Sequence, residues 1–304
     1  MVLGGIKLGI KILLITDVHY SERSEEQEER WFPAKIKKMP KKKIDDYLKY
    51  WDGLTQRAFR KLLKKTKSQG PFDFLIDLGD GTAGTNQRGL VTKKAREERQ
   101  KYDQLIARAF SGIRKYSLYG NHDIGYSDIL IQEKVDGRMS RESFDVAEKL
   151  IGPPWFSKTI EGFTLLFLNS EIIRSSTEKD NPDQEFFIQK AKEQEKFIQE
   201  CLKNTSDKII LLIHDPIQLK ELEEILEPYK KNIVLILAAH FHMPILWRIY
   251  RLHRTMKVIR SFNVKIVPAP WGGIGLPQKI IIGRGGFATL ELSNGQFSLK
   301  NHKL

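Results

Sequence analysis

One cysteine, Cys201, is all the thiol chemistry in 304 residues. That excludes an intramolecular disulfide and a cysteine-rich zinc cluster, so any bound metal has to rely on His, Asp, Asn and water. A reducing cytoplasm is the expected setting. No apolar run approaches the roughly 20 residues of a membrane-spanning helix, which argues against an integral membrane protein. The stretch from Val2 to Ile15 is interrupted by Lys7 and Lys11, and no small-residue cleavage site follows. It reads as a first β-strand rather than a signal peptide. Internal repeats and flexible linkers are missing too, and 40% hydrophobic content over this length predicts one domain across residues 1–304.

Acidic side chains are outnumbered, 38 against 51 Lys and Arg, which leaves a net charge of +13. Such a field concentrates polyanions such as nucleic acid, nucleotides or anionic lipid. A Lys/Glu-rich solvated surface accounts for the same composition. Two segments stand apart by charge. Glu22 to Arg30 is acidic, and Lys35 to Lys43 carries six lysines around Met39 and Pro40. Both are predicted as solvent-facing loops.

Short apolar runs of strand length alternate with segments of helical spacing, the pattern of an α/β protein. Strands are predicted at Lys11 to Thr16, Phe72 to Leu78, Lys115 to Tyr119, Phe163 to Asn169, Lys208 to Ile213 and Ile233 to Ala239. Ile44, Tyr47, Leu48, Trp51, Leu54, Ala58, Leu62 and Leu63 fall three or four apart and line one face of a long helix that Gly70-Pro71 ends. Tyr102, Leu105, Ile106 and Ala109 mark a second helix. Phe187, Ala191, Gln194, Phe197, Ile198 and Cys201 share one side of a third, which stops near Asn204. Beyond Ala239 the chain is mostly β, with a strand at Gly286 to Leu292 and a hairpin turn at Asn294-Gly295.

Several of these strands run directly into a metal-ligating side chain. Asp17 and His19 follow the first, Asp80 the second, Asn121, His122 and Asp123 the third, His214 a later one, and His240 and His242 another. Five of the seven histidines are used in this way. A lone histidine after a strand is ordinarily a surface residue and a lone aspartate a helix cap. The same coincidence at five strand ends is better explained by one metal site, because ligands of open α/β sheets bind outside the carboxyl ends of the strands. Residues two apart in extended chain point the same way, so Asp17 with His19, and His240 with His242, converge. Oxygen and imidazole donors without thiolate suit Mn, Fe, Co or Zn. Two divalent ions bring four positive charges; Asp17, Asp80 and a bridging hydroxide would remove three, leaving a site that attracts a phosphoryl group.

In this order the motifs resemble the calcineurin-like metallophosphoesterase superfamily, whose signature is Asp-x-His, Gly-Asp, Gly-Asn-His-Asp or -Glu, a later His, and Gly-His-x-His. The resemblance runs from about residue 10 to 292. It implies a four-layer αββα sandwich, two mixed β-sheets face to face with helices outside. It further implies one metal held by Asp17, His19, Asp80 and His242 and a second by Asp80, Asn121, His214 and His240, with Asp80 bridging. His122 would act on the phosphoryl group or its leaving oxygen, with Asp123 orienting its imidazole. Phe163 to Asn169 and Glu193 to His214 look most like the branch of purple acid phosphatases and class III cyclic-nucleotide phosphodiesterases. His19 is absent from the former. Three departures stand out: Ala83 replaces the acidic residue or Asn common three after the bridging Asp, Ala239 replaces a Gly, and Asp215 replaces the second His of cyclic-nucleotide enzymes.

The implied activity is hydrolysis of phosphomonoesters or phosphodiesters by two divalent ions and a bridging hydroxide, on a phosphorylated small molecule or nucleotide. A nuclease is the alternative, motivated by the charge and by Lys35 to Lys43 and Arg248 to Arg260, although these lack regular aromatic interleaving. A pyrophosphohydrolase of a lipid-linked substrate would use Trp31-Phe32 and neighbouring lysines as an anchor on an anionic surface. A metal-dead interaction module conflicts with the intact ligand set and with His122.

Overall fold

The computed structural model describes residues 9–22, 40–82, 89–124, 139–241, 261–271, 273–276, 279–282 and 285–304. Along the chain run β1 (Ile10–Ile15), α1 (Lys41–Lys67), β2 (Phe74–Asp77), α2 (Lys93–Ala109), β3 (Arg114–Ser117), α3 (Asn121–Ile124), α4 (Arg141–Ile151), β4 (Phe156–Ile160) and β5 (Phe163–Leu168). They continue with α5 (Ser170–Thr177), α6 (Gln184–Asn204), β6 (Lys208–Ile213), α7 (Glu223–Leu226), β7 (Ile233–Ala238) and β8 (Val264–Ile266). Four further strands are β9 (Gly273–Leu276), β10 (Lys279–Ile282), β11 (Gly286–Ser293) and β12 (Gln296–Lys303).

Two five-stranded sheets result, ordered β12-β11-β1-β2-β3 and β4-β5-β6-β7-β8, with β9 and β10 forming a separate ribbon. Each sheet is mixed. β1, β2 and β3 are parallel, while β11 is antiparallel to β1; β5 to β8 are parallel, while β4 is antiparallel to β5. Alternation along the strands sorts the side chains into layers. Ile12, Leu14, Ile76 and Leu290 of the first sheet meet Leu165, Phe167, Ile210, Leu212 and Leu235 of the second in one buried cluster. Their neighbours face outward. Leu13, Ile15 and Leu75 pack under Phe59 and Leu62 of α1 and Tyr102 and Ile106 of α2. Leu166, Leu211 and Ile236 pack under Ile198 and Leu202 of α6. This is the expected sandwich with helices on both outer faces.

Most predicted elements appear within a residue or two of their bounds. The hairpin turn has both Asn294 and Gly295 at positive φ, 48° and 72°, matching the twist of β11 and β12. Three readings are corrected. Lys41 to Lys43 are not loop: α1 opens directly after Pro40, and Lys35 to Met39 lie outside the described residues. α1 stops at Lys67, before Gly70-Pro71. Cys201 and Phe197 sit at the margin of the α6 face, and Leu202 is buried in the stripe. Among the described residues no helix is long and apolar enough to cross a membrane.

Candidate metal centre

The carboxyl edges of both sheets supply the cluster. Asp17 and His19 follow β1, Asp80 follows β2, Asn121 and His122 open the single turn α3 after β3, His214 follows β6, and His240 follows β7. Asp17, His19, Asp80, Asn121 and His214 are buried, and His122 and His240 are partly exposed. His242 lies outside the described residues.

Four of these residues have left-handed backbones: Asp17 at φ 46°, His19 at 49°, Asp80 at 54° and His240 at 65°. Among the described residues only two other non-glycine residues do so, Glu161 and Asn294, both in turns, so the strain is concentrated where the ligands are. Each such residue costs about 1 kcal/mol or more and persists because its surroundings over-determine it. Past the ends of β1 and β2 the chains remain bonded, with N–H groups of Asp17, His19 and Tyr20 donating to carbonyls of Gly79, Asp80 and Gly81 at 3.0 Å. Trp271 Nε1 donates to the Asp17 carbonyl at 2.8 Å, and its ring packs edge-on to His19. Gly120 is there because a Cβ would fall 2.1 Å from Asp80 Oδ1.

Two groups of side chains each bring their ligand atoms within 4.8 Å of one another: His19, Asp80 and His122, and Asp80, His214 and His240. Asp80 belongs to both. Its Oδ1 accepts the backbone N–H of His122 at 2.8 Å, and its buried Oδ2 accepts no hydrogen bond among the described residues. That oxygen lies 3.3 Å from His214 Nε2 and 4.0 Å from His19 Nε2. His214 donates from Nδ1 to the Leu78 carbonyl at 2.8 Å, so Nε2 of its neutral ring presents a lone pair. Asn121 Oδ1 stands 3.2 Å from that nitrogen and 3.0 Å from His240 Nδ1. Lone pairs meeting in buried space need a cation between them, either a proton on His214 or a metal ion. The donor set fits a divalent ion. Asp17 Oδ1 stands 3.9 Å from His19 Nε2, while Oδ2 accepts from Thr16 Oγ1 at 2.8 Å and from the His240 N–H at 3.2 Å.

The electrostatics point the same way. Burial alone would raise the Asp80 carboxyl, yet His214, His122 and His19 hold it well below the usual carboxylate range. Burial would lower His214, but Asp80 beside it holds the imidazole well above its ordinary value. For His240 burial prevails and its pKa is lowered.

Asp123 is buried beside the same turns. Its Oδ2 accepts from the backbone N–H groups of Asp80 and Gly120, both at 3.0 Å, and Oδ1 faces Arg99 Nη1 at 3.2 Å. Its hydrogen bonds hold backbone, not the His122 ring. Burial raises its pKa to about 6 despite Arg99. His122, with its ring centroid 4.6 Å from that of His19, is within reach of the His19–Asp80 group. Sequence reasoning missed Trp271, Thr16 and Arg99. Only Trp271 offers a signal, an aromatic set into a Pro-Ala-Pro and Gly-Gly stretch.

Comparison with known proteins bears on the same residues. No curated protein matches the chain. Among solved structures, the purple acid phosphatase PPD1 from yellow lupin (Lupinus luteus) seeds aligns at a TM-score of 0.53 and 13% identity, covering 97% of this chain and 51% of its own. This chain therefore spans about half the length of the lupin enzyme, and the likeness is one of fold. A dimetal phosphatase from Danio rerio (TM-score 0.39, 14% identity, 97% of this chain and 96% of that one) and the NAD nucleotidase of Haemophilus influenzae (0.39, 15%, 97% and 49%) align more loosely. The family described as calcineurin-like phosphoesterase matches residues 10–244, a span that includes Asp17, His19, Asp80, Asn121, His122, His214, His240 and His242. The chain belongs to the calcineurin-like phosphoesterase family.

Proposed function

We propose that this chain, acting as one domain, hydrolyses phosphomonoesters or phosphodiesters of small molecules or nucleotides with two divalent ions. The observation that carries the reading is Asp80: one buried carboxylate shared by two ligand groups, with an oxygen that accepts no hydrogen bond among the described residues closer than its 3.3 Å approach to His214 Nε2. Asp17, His19, Asp80 and His242 would hold one ion, and Asp80, Asn121, His214 and His240 the other. Bound there, the ions would supply Lewis acidity toward phosphoryl oxygens and lower the pKa of water.

The protein's own groups would do the rest. Asp123 holds the Gly120 and Asp80 backbones, and the His122 N–H fixes Asp80 Oδ1. The His122 imidazole, at the partly exposed rim, would give its proton to the leaving oxygen as the ester P–O bond breaks. Assays of purified protein with added Mn²⁺, using p-nitrophenyl phosphate, its bis ester and single-stranded DNA, test the reading. Turnover of either ester that chelator abolishes is expected. No turnover of either with two ions bound would remove it, and cleavage of DNA alone would favour the nuclease.

A further inference from the structure

Three residues after Asp80 stands Ala83, whose methyl group can offer no polar support to the Asp80 turn. Support arrives from α2 instead. Arg99 on that helix is 1% exposed, with Nη1 3.2 Å from Asp123 Oδ1 and Nε donating to Asp103 Oδ2 at 2.9 Å. Asp123 spends its other oxygen on the N–H groups of Asp80 and Gly120. Nearly one turn along α2, Tyr102 repeats the arrangement. Its hydroxyl donates to Asp77 Oδ2 at 2.9 Å, and Asp77 Oδ1 accepts the Gly79 N–H at 3.2 Å. The Tyr102 ring lies so close under the turn that a Cβ on Gly81 would come within 2.6 Å of it.

A buried arginine needs an anionic partner in any protein, and one carboxylate would satisfy that need. Pairing alone does not explain why two carboxylates, each held by α2 through one oxygen, turn the other oxygen to backbone N–H groups around one ligand. Residues three apart share a helix face, so a single buried face grips the turn at Gly79, Asp80 and Gly120. The residue so gripped is the one with φ 54° that both ligand groups share.

We propose that Arg99 and Tyr102 are positioning residues of the metal centre: through Asp123 and Asp77, α2 fixes the backbone of Asp80 so that its carboxylate serves both ions. This rests on the two-metal reading above. The test uses the whole chain, with Mn²⁺ alone as probe and the variants Tyr102→Phe, Arg99→Lys and Arg99→Met. Affinity and stoichiometry are measured by equilibrium dialysis well below the melting temperature of each metal-free variant, alongside the electron paramagnetic resonance of the exchange-coupled Mn pair. Under these conditions a merely structural role leaves Mn²⁺ binding unchanged. Tyr102→Phe and Arg99→Met are expected to weaken it about tenfold or more, with a perturbed pair signal, and Arg99→Lys to restore part of the loss. Combined with Asp123→Asn, Arg99→Met should add less than its own effect in the parent, because both act on one path. Should Arg99→Met fail to fold, Tyr102→Phe decides alone. Parent-like affinity and signal in Tyr102→Phe and Arg99→Met would overturn the inference and leave the two-metal reading standing. A parent chain that binds fewer than two Mn²⁺ would overturn both.

Discussion

Replacing Asp80 by Ala and by Asn separates what its charge does from what its shape does. In the parent, Asp80 accepts the His122 N–H at 2.8 Å, stands 3.3 Å from His214 Nε2, and holds a left-handed backbone at φ 54°. Ala removes the acceptor, leaving a partly buried donor unmet at about 1–3 kcal/mol, and tolerates that backbone less well by about 1 kcal/mol. Without metal, Asp80→Ala should therefore be about 2–4 kcal/mol less stable than the parent, a loss that a domain of ordinary stability survives folded. Asn keeps an acceptor and is at ease in the left-handed region, so Asp80→Asn should lose about 1 kcal/mol. Both variants nevertheless remove the carboxylate that two ligand groups share, and both should bind fewer than two ions and lose turnover. Urea unfolding in chelator, metal content by elemental analysis, and hydrolysis of bis-p-nitrophenyl phosphate give the three readings. An Asn variant that retains two ions and parental turnover would refute the assignment of Asp80 as the shared ligand.

His122→Asn should keep its metal and slow alkyl esters by ~10²- to 10⁴-fold, with a smaller loss for p-nitrophenyl esters, whose leaving oxygen needs little protonation. Loss of an ion from that variant would make His122 a ligand, a position its approach to His19 and Asp80 also allows. Gly120→Ala would place a methyl 2.1 Å from Asp80 Oδ1, and should cost about 3 kcal/mol in chelator together with most of the metal affinity. A variant of parental stability and affinity would show that the two turns can part freely. The pH dependence follows from His214. Burial would lower its pKa but Asp80 raises it well above the ordinary value, so the pair's stabilisation is fully present below ~6.5 and fades as pH rises through the raised value. In chelator, the urea-midpoint advantage of the parent over Asp80→Asn should shrink on raising the pH from ~6.5, while Mn²⁺ affinity of the parent rises as His214 gives up its proton. A constant midpoint difference across that range would contradict the pairing.

What the sequence made legible follows from where each signal resides. Strands β1, β5, β6 and β7 are continuous apolar runs because both faces of their sheets are covered, and their ends coincide with ligating residue types. β4 escaped notice because it is an edge strand, alternating between half-buried and exposed along Phe-Ser-Lys-Thr-Ile behind Pro153-Pro154. α4 and α5 are short, and their capping residues Ser140 and Asn169 are common elsewhere. Within the site, ligand identity could be read from the residue types, but the φ values of Asp17, His19, Asp80 and His240 depend on bonds between separate turns. Arg99 sits 24 residues before Asp123 on a helix crowded with charges, of which Glu98 is buried as well, so neither spacing nor charge marks it as belonging to the centre.

The strand that runs into Asp17 is the first of the described strands, yet it is sheltered inside its sheet by one of the last of them: Ile10 pairs with Leu292 and Leu14 with Ala288. Trp271, which braces the Asp17 carbonyl, is also made late. During synthesis β1 leaves the ribosome about 270 residues ahead of β11, a delay of tens of seconds at about 5–20 residues per second. A chain interrupted before β11 would carry all of the proposed ligands and leave open the edge of β1 that β11 covers.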